Sequence, residues 1–285
     1  MGFMLRTFGL LSILTVLLVA IGYVLGLWLG VSVTYTVTGA FALAMVINLF
    51  SYWYSHKWVL KMYKAKIVDE SEDPKLHEIV GRLASRANLP KPQVAVTPDE
   101  TPNAFATGRN PSHAVIAVTK GARNLLSERE LEGVLGHEMA HIKNRDMLVN
   151  TMAAMIAGAI AYIGIAGRFG IFFGRRRGGL LALLALIFMP IAAMMVRMAI
   201  SRTREFGADE EGANISGEPL ALADGLRKIE SAVKHKQALQ KGQEEGNPAT
   251  SHLFIVNPFR GADLTRLFST HPSTEERVQR LEKMV

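Results

Sequence analysis

The sequence predicts an α-helical membrane protein that also carries a mainly α (α+β) module containing a small β-sheet. Three observations predict it. Apolar residues gather in a few long uncharged blocks rather than spreading evenly, and the mean hydropathy of the chain is positive, +0.19. Between those blocks the pattern changes to helical periodicity and then to short β-type runs, as a packed module requires. From residue 201 onward the chain reads as mostly helical and soluble.

Composition narrows the chemistry. The 285 residues include no cysteine, which excludes disulfides and thiolate metal sites, so a transition metal must be held by His and carboxylates. The formal net charge of +7 suits an anionic bilayer surface or nucleic acid on charge alone. No groove-reading motif accompanies it, and the long apolar blocks favour the lipid bilayer as partner over nucleic acid.

Residues 8–29 and 35–54 are uncharged runs separated by the short link 30–34. Each is near the roughly 20 residues that a helix needs to cross a bilayer core of about 30 Å. The alternative for the first run is a cleaved signal peptide, but it exceeds an apolar region of roughly 7–15 residues and a second run follows at once. Residues 1–56 are therefore expected to form a transmembrane hairpin. Arg6 precedes it, and Lys57, Lys61, Lys64 and Lys66 follow it, so the positive-inside rule puts both ends in the cytoplasm.

Residues 57–146 read as the first part of the soluble module. Leu76, Ile79, Val80, Leu83 and Ala87 recur at helical spacing within 70–89, and Pro90 and Pro92 end that helix. Short β-type runs follow at 93–97, 104–107 and 114–118, punctuated by Pro, Gly, Asp and Asn. Ser127 and Glu130 have the spacing of a capping box, so a new helix opens there.

Residues 147–199 hold a second apolar pair, 147–167 and 179–195. Spanning is the preferred reading, although it places Arg168, Arg175, Arg176 and Arg177 outside, against the charge rule. The alternative is a shallow, re-entrant or protein-packed hairpin. The methionines of 189–198 read as apolar packing. Residues 200–285 complete the soluble module, with the polar stretch 240–251 as the candidate mobile loop.

The chemistry centres on His137-Glu138-Met139-Ala140-His141, an HExxH pattern in a strongly helical segment. Imidazoles at i and i+4 project from one face and can share one Zn²⁺, with Glu138 beside the metal as general base. Zinc lowers the pKa of its water to roughly 7 and polarises a carbonyl, so the expected reaction is hydrolysis without a covalent intermediate. Two surface histidines on a helix are the bland alternative. The extended HExxHxxGxxH pattern is excluded, because Asn144 and Met147 stand where its glycine and third histidine belong.

Downstream, Glu205 and Asp209 are again at i and i+4. On a helix the first could ligate zinc and the second reach a ligand histidine's N–H. Two His and one Glu leave a position for water, as a catalytic zinc requires. Taken alone, Glu205 reads first as part of a charged helix face paired with Arg202 or Arg204.

The order of the motifs is similar to that of the HtpX family of bacterial membrane metalloproteases, relatives of the eukaryotic CAAX prenyl proteases. The residues that carry the resemblance are the N-terminal hairpin, TPNAFATG at 101–108, HEMAHIKNRD at 137–146, an apolar pair, SRTREFGAD at 201–209 and THPSTEERVQRL at 270–281. The resemblance covers essentially the whole chain. It implies a gluzincin-like zinc peptidase domain, one zinc per chain on His137, His141 and Glu205, the base Glu138, and Asp209 behind a ligand histidine. It further implies ATP-independent cleavage of polypeptides, chiefly misfolded or damaged membrane proteins. The expected location is the bacterial inner membrane, multi-pass, with the N-terminus and catalytic site cytoplasmic.

Other assignments follow from it. Asn103, Ala104 and Phe105 resemble the substrate-binding edge strand of such peptidases, which holds an extended peptide through main-chain hydrogen bonds. A turn Asn before an ordinary strand is the alternative for Asn103. His271, before Pro272, resembles the family's HP motif as a catalytic oxyanion stabiliser, with Arg277 and Arg280 in reserve. Asp146 reads as orienting a neighbour or as a helix-terminal salt bridge. His113, His235 and His252 read as surface residues. Two other functions stay in view: a CAAX-type protease acting on a narrow lipidated substrate, against which the small number of spans argues, and a non-catalytic scaffold, against which the intact motif argues.

Overall fold

A computed structural model of the chain describes residues 30–148, 150–151, 202–239 and 272–285, with residues 9, 11–12, 15–16, 18–23 and 26–27 of the first apolar block. His271, His252, the loop 240–251 and nearly all of the second apolar pair lie outside the described residues.

Helix α1, Val33–Met62, is the one helix among the described residues long and apolar enough to cross a membrane. Its 30 residues rise about 45 Å. That exceeds a hydrocarbon core of roughly 30 Å, so the helix continues beyond it. Tyr35, Phe41, Leu43, Val46 and Leu49 are exposed along it, an apolar surface suited to lipid. Against the preceding block, Asn48 Nδ2 donates to Thr15 Oγ1 at 2.9 Å. A Cβ on Gly22 would stand 2.6 Å from that of Ala40, so small residues let the two segments touch, as helix pairs in lipid require.

The module begins with β1, Lys66–Ile67, and α2, Pro74–Ala87. Asp73 caps α2 by accepting from the Leu76 N–H, and Asn88 closes it in the left-handed conformation at φ 55°. The expected helix over 70–89 is thus trimmed at both ends by its caps. Strands β2, Gln93–Thr97, β3, Ala104–Gly108, and β4, Ala114–Thr119, follow, and the sheet order is β1-β2-β4-β3. β2 and β4 are parallel, with Val94 opposite Ile116, while β1 and β3 are antiparallel to their neighbours.

The sheet's two faces serve different partners, by the two-residue alternation of strands. Val94, Ala104, Ala106, Ile116 and Val118 face the helical core. Ala95, Phe105, Val115 and Ala117 face the C-terminal end of α1 at Val59. Helix α3, Lys120–Leu125, is capped by Thr119. Helix α4, Glu128–Lys143, opens on the Ser127 and Glu130 capping box, both halves of which form. Helices α5, Arg202–Ser216, and α6, Pro219–Leu239, pack on α4 and with α2 and the sheet bury most of it, while α7, Thr274–Glu282, packs on α6 and α5. Arg86 of α2 donates to the Ser216 carbonyl at 2.6 Å, and Arg82 makes a two-pronged pair with Glu132, tying α2 to α5 and α4.

Candidate metal centre

The site is built where α4 and α5 cross. One turn carries His137 to His141, and their Nε2 atoms lie 3.1 Å apart. Glycines allow α5 to come close: a Cβ on Gly212 would meet the His137 backbone at 2.6 Å, and one on Gly136 the Gly212 carbonyl oxygen at 2.7 Å. Glu205 lies two turns before Gly212, so the same face of α5 delivers its carboxylate. Glu205 Oε1 is 3.6 Å from His141 Nε2, and Oε2 is 3.8 Å from His137 Nε2. These donor atoms all lie within 4.8 Å of one another, and all three residues are buried. Two imidazoles and a carboxylate around one point, with no thiolate, form a donor set suited to a borderline-soft divalent ion.

Each histidine also meets a carboxylate at its other ring nitrogen. Asp209 Oδ1 is 2.9 Å from His137 Nδ1. Asp146 Oδ2 is 3.6 Å from His141 Nδ1. Each carboxylate in turn has an arginine: Arg277 for Asp209 and Arg204 for Asp146, the latter at 3.2 Å. Burial would raise both Asp side chains, but the opposing charges outweigh it and hold both below the usual carboxylate range. Burial would likewise lower the His141 imidazole, yet Asp146, Glu205 and Glu138 push it up to about 9. Asp146 therefore combines the two readings the sequence offered, an arginine pair at a helix end and a carboxylate facing a histidine.

Glu138 is buried beside the three donors, and its Oε2 accepts from the Ala106 N–H at 2.8 Å. Burial pushes its carboxyl up, against the opposing pull of His137 and His141. Ala106 lies on β3, an edge strand of the sheet. Strand alternation puts the main-chain groups of Ala104 and Gly108 on that same edge. The three strand residues expected from sequence are therefore placed unequally. Ala104 lies along the open edge. The Phe105 side chain faces away, its ring centroid 5.0 Å from that of Tyr63 at the end of α1. The Asn103 N–H donates to Thr119 Oγ1, and its carbonyl accepts from the Thr119 N–H, anchoring the strand's start.

Sequence reasoning missed Ala106 and Arg204, and it held Arg277 only in reserve as an oxyanion group. Period-two counting from Ala104 could have found Ala106. Arg277 is instead fully buried against Asp209, while Arg280 stacks on the Phe206 ring at 3.7 Å. His113 and His235 are exposed, and His271 lies outside the described residues.

The model of peptidase family M48 matches residues 70–285. Over 293 residues the chain is 52% identical to a protease HtpX homolog of Thermococcus sibiricus, covering 100% of this chain and 97% of the relative. It is 51% identical to one of Pyrococcus furiosus, with coverage of 99% and 96%, and 50% identical to one of Salinibacter ruber, with 98% and 97%. Among solved structures, Ste24p of S. mikatae superposes with a TM-score of 0.51 at 16% identity, over 99% of this chain and 66% of that one, a likeness of fold. The motif order and the full-length relatives agree: the chain belongs to peptidase family M48, as a membrane metallopeptidase of the HtpX type.

Proposed function

We propose that the chain is a zinc endopeptidase of the cytoplasmic membrane, with its site on the cytoplasmic side, that hydrolyses misfolded or damaged membrane proteins. The observation that carries this reading is the convergence of His137, His141 and Glu205 with Glu138 alongside. His137, His141 and Glu205 hold the zinc, and bound zinc supplies a Lewis acid that polarises the scissile carbonyl and acidifies a water. Asp209 sets the tautomer and angle of His137 through its Nδ1 atom, and the Asp146 charge faces His141 Nδ1 from 3.6 Å. The lysines that follow α1 support the cytoplasmic placement.

Glu138 then does the proton work. Its carboxylate takes one proton from the attacking water as the water oxygen bonds to the carbonyl carbon, and returns it to the amine nitrogen as the C–N bond breaks. Ala106 fixes its position from the strand side, and the open edge of β3 holds the substrate extended. His271 is the expected oxyanion group.

The test is cleavage of casein by zinc-loaded protein in detergent, comparing the native chain with Glu138→Gln. The native chain should cut, while the variant should hold about one zinc and be inert. Two inert proteins, both with zinc bound, would favour a scaffold instead.

A further inference from the structure

Helix α1 carries a depth scale. About 20 helical residues cross the hydrocarbon core, so a span that begins at Val33 leaves it near Trp53. The composition changes there: Tyr52, Trp53 and Tyr54 come first, then Lys57 and Lys61, the order of an aromatic belt followed by cytoplasmic positive charge. Lys57 Nζ lies 5.5 Å over the Tyr54 ring.

The catalytic module touches α1 at this same level. The Arg109 guanidinium stands 4.3 Å from the centre of the Trp53 ring. The next turns of α1, through Val59, pack on Phe105, Ala95, Val115 and Ala117. Contact is thus both polar at the interface and apolar just above it. Arg109 directly follows β3, and Ala106, whose N–H meets Glu138, lies three residues earlier. A strand advances about 3.3 Å per residue, so Ala106 is at most about 10 Å from Arg109 whatever the strand's tilt. The base therefore sits a short reach from the level at which α1 leaves the bilayer.

From this juxtaposition we infer that the preferred substrate bond is juxtamembrane, within the first few residues that emerge from the bilayer on the catalytic side. The inference rests on the proposed endopeptidase reading and narrows it. A chain leaving the membrane beside Trp53 must cover the 4.3 Å to Arg109, about 7 Å of its side chain and about 10 Å of strand, so it reaches Glu138 with about six extended residues and needs about five more to lie along β3, or about eleven in all. A site standing 30 Å farther out would need about nine more than that.

The experiment uses the full chain co-expressed with single-span test proteins. In these, a protease-resistant folded domain follows the span after an unstructured cytoplasmic linker of graded length. Linker cleavage is read in isolated membranes by gel and mass spectrometry, with Glu138→Gln as the background, and casein is supplied to the same membranes. Cleavage should begin at linkers of about 11–13 residues, with the cut in the membrane-proximal half of the shortest substrate cleaved. A threshold above about 20 residues, or cleavage with no linker at all, overturns the inference while cut casein leaves the endopeptidase reading standing. Uncut casein overturns both.

Discussion

Arg277 and Asp209, 68 residues apart in sequence, form a buried two-pronged ion pair, with Nε and Nη2 at 2.8 and 2.6 Å from the two carboxylate oxygens. The same carboxylate faces His137 Nδ1, so the C-terminal helix α7 reaches the metal centre through one side chain. Replacing Arg277 with Met strands a buried charge and should cost about 3–5 kcal/mol of stability. Chemical denaturation of the metal-free protein in detergent checks this. The double variant Arg277→Met, Asp209→Asn should recover part of the loss, because the stranded charge is gone.

Asp146 should matter to zinc as well as to folding. Asp146→Asn keeps the size of the side chain and removes the charge that faces His141, so zinc affinity should fall about 10–100-fold. Chelator competition measures it. Unchanged affinity with a lowered unfolding midpoint would reduce Asp146 to a helix-end salt bridge with Arg204.

Gly212→Ala probes the helix crossing. The added methyl would sit 2.6 Å from the His137 backbone, where no flexible side chain can yield. Overpacking of this kind costs about 1–3 kcal/mol and would move α5, and with it Glu205, away from α4. Zinc retention should drop along with stability. Gly207→Ala meets nothing within 4 Å and is the control in the same helix.

The pH dependence follows from His141. Its pKa rises from 6.5 to about 9 in the folded, metal-free protein, so its contribution to stability is complete below pH 6.5 and is lost as pH rises toward 9. Metal binding has the opposite sense, since the proton must leave. Zinc affinity should climb about tenfold per pH unit over that window on this account. Unfolding midpoints and zinc titrations at pH 6, 7.5 and 9 test the two trends together.

Much of the local structure was legible in the sequence because its causes are local. The Ser127 and Glu130 capping box, the short β-type runs of β2 and β4 and the four-residue step from His137 to His141 each involve neighbours along the chain. Composition alone marked α1 as a span candidate. The two helical segments holding the candidate metal donors were visible, although Glu205 on its own spacing was more readily a surface charge.

What only the tertiary structure decided depends on packing between distant segments. The Gly136 and Gly212 contact sets how near Glu205 comes to the histidines, and no periodicity in either helix encodes that distance. Phe105 turns toward Tyr63 because α1 covers that face of the sheet, which leaves Ala106 to meet Glu138. Arg277 reads as one more cation of a charged helix until burial leaves Asp209 as its counter-charge. The sequence by itself determined the donor types and the helices that carry them; the folded chain decided which backbone and charged groups close around them, because desolvation makes only the paired arrangement stable.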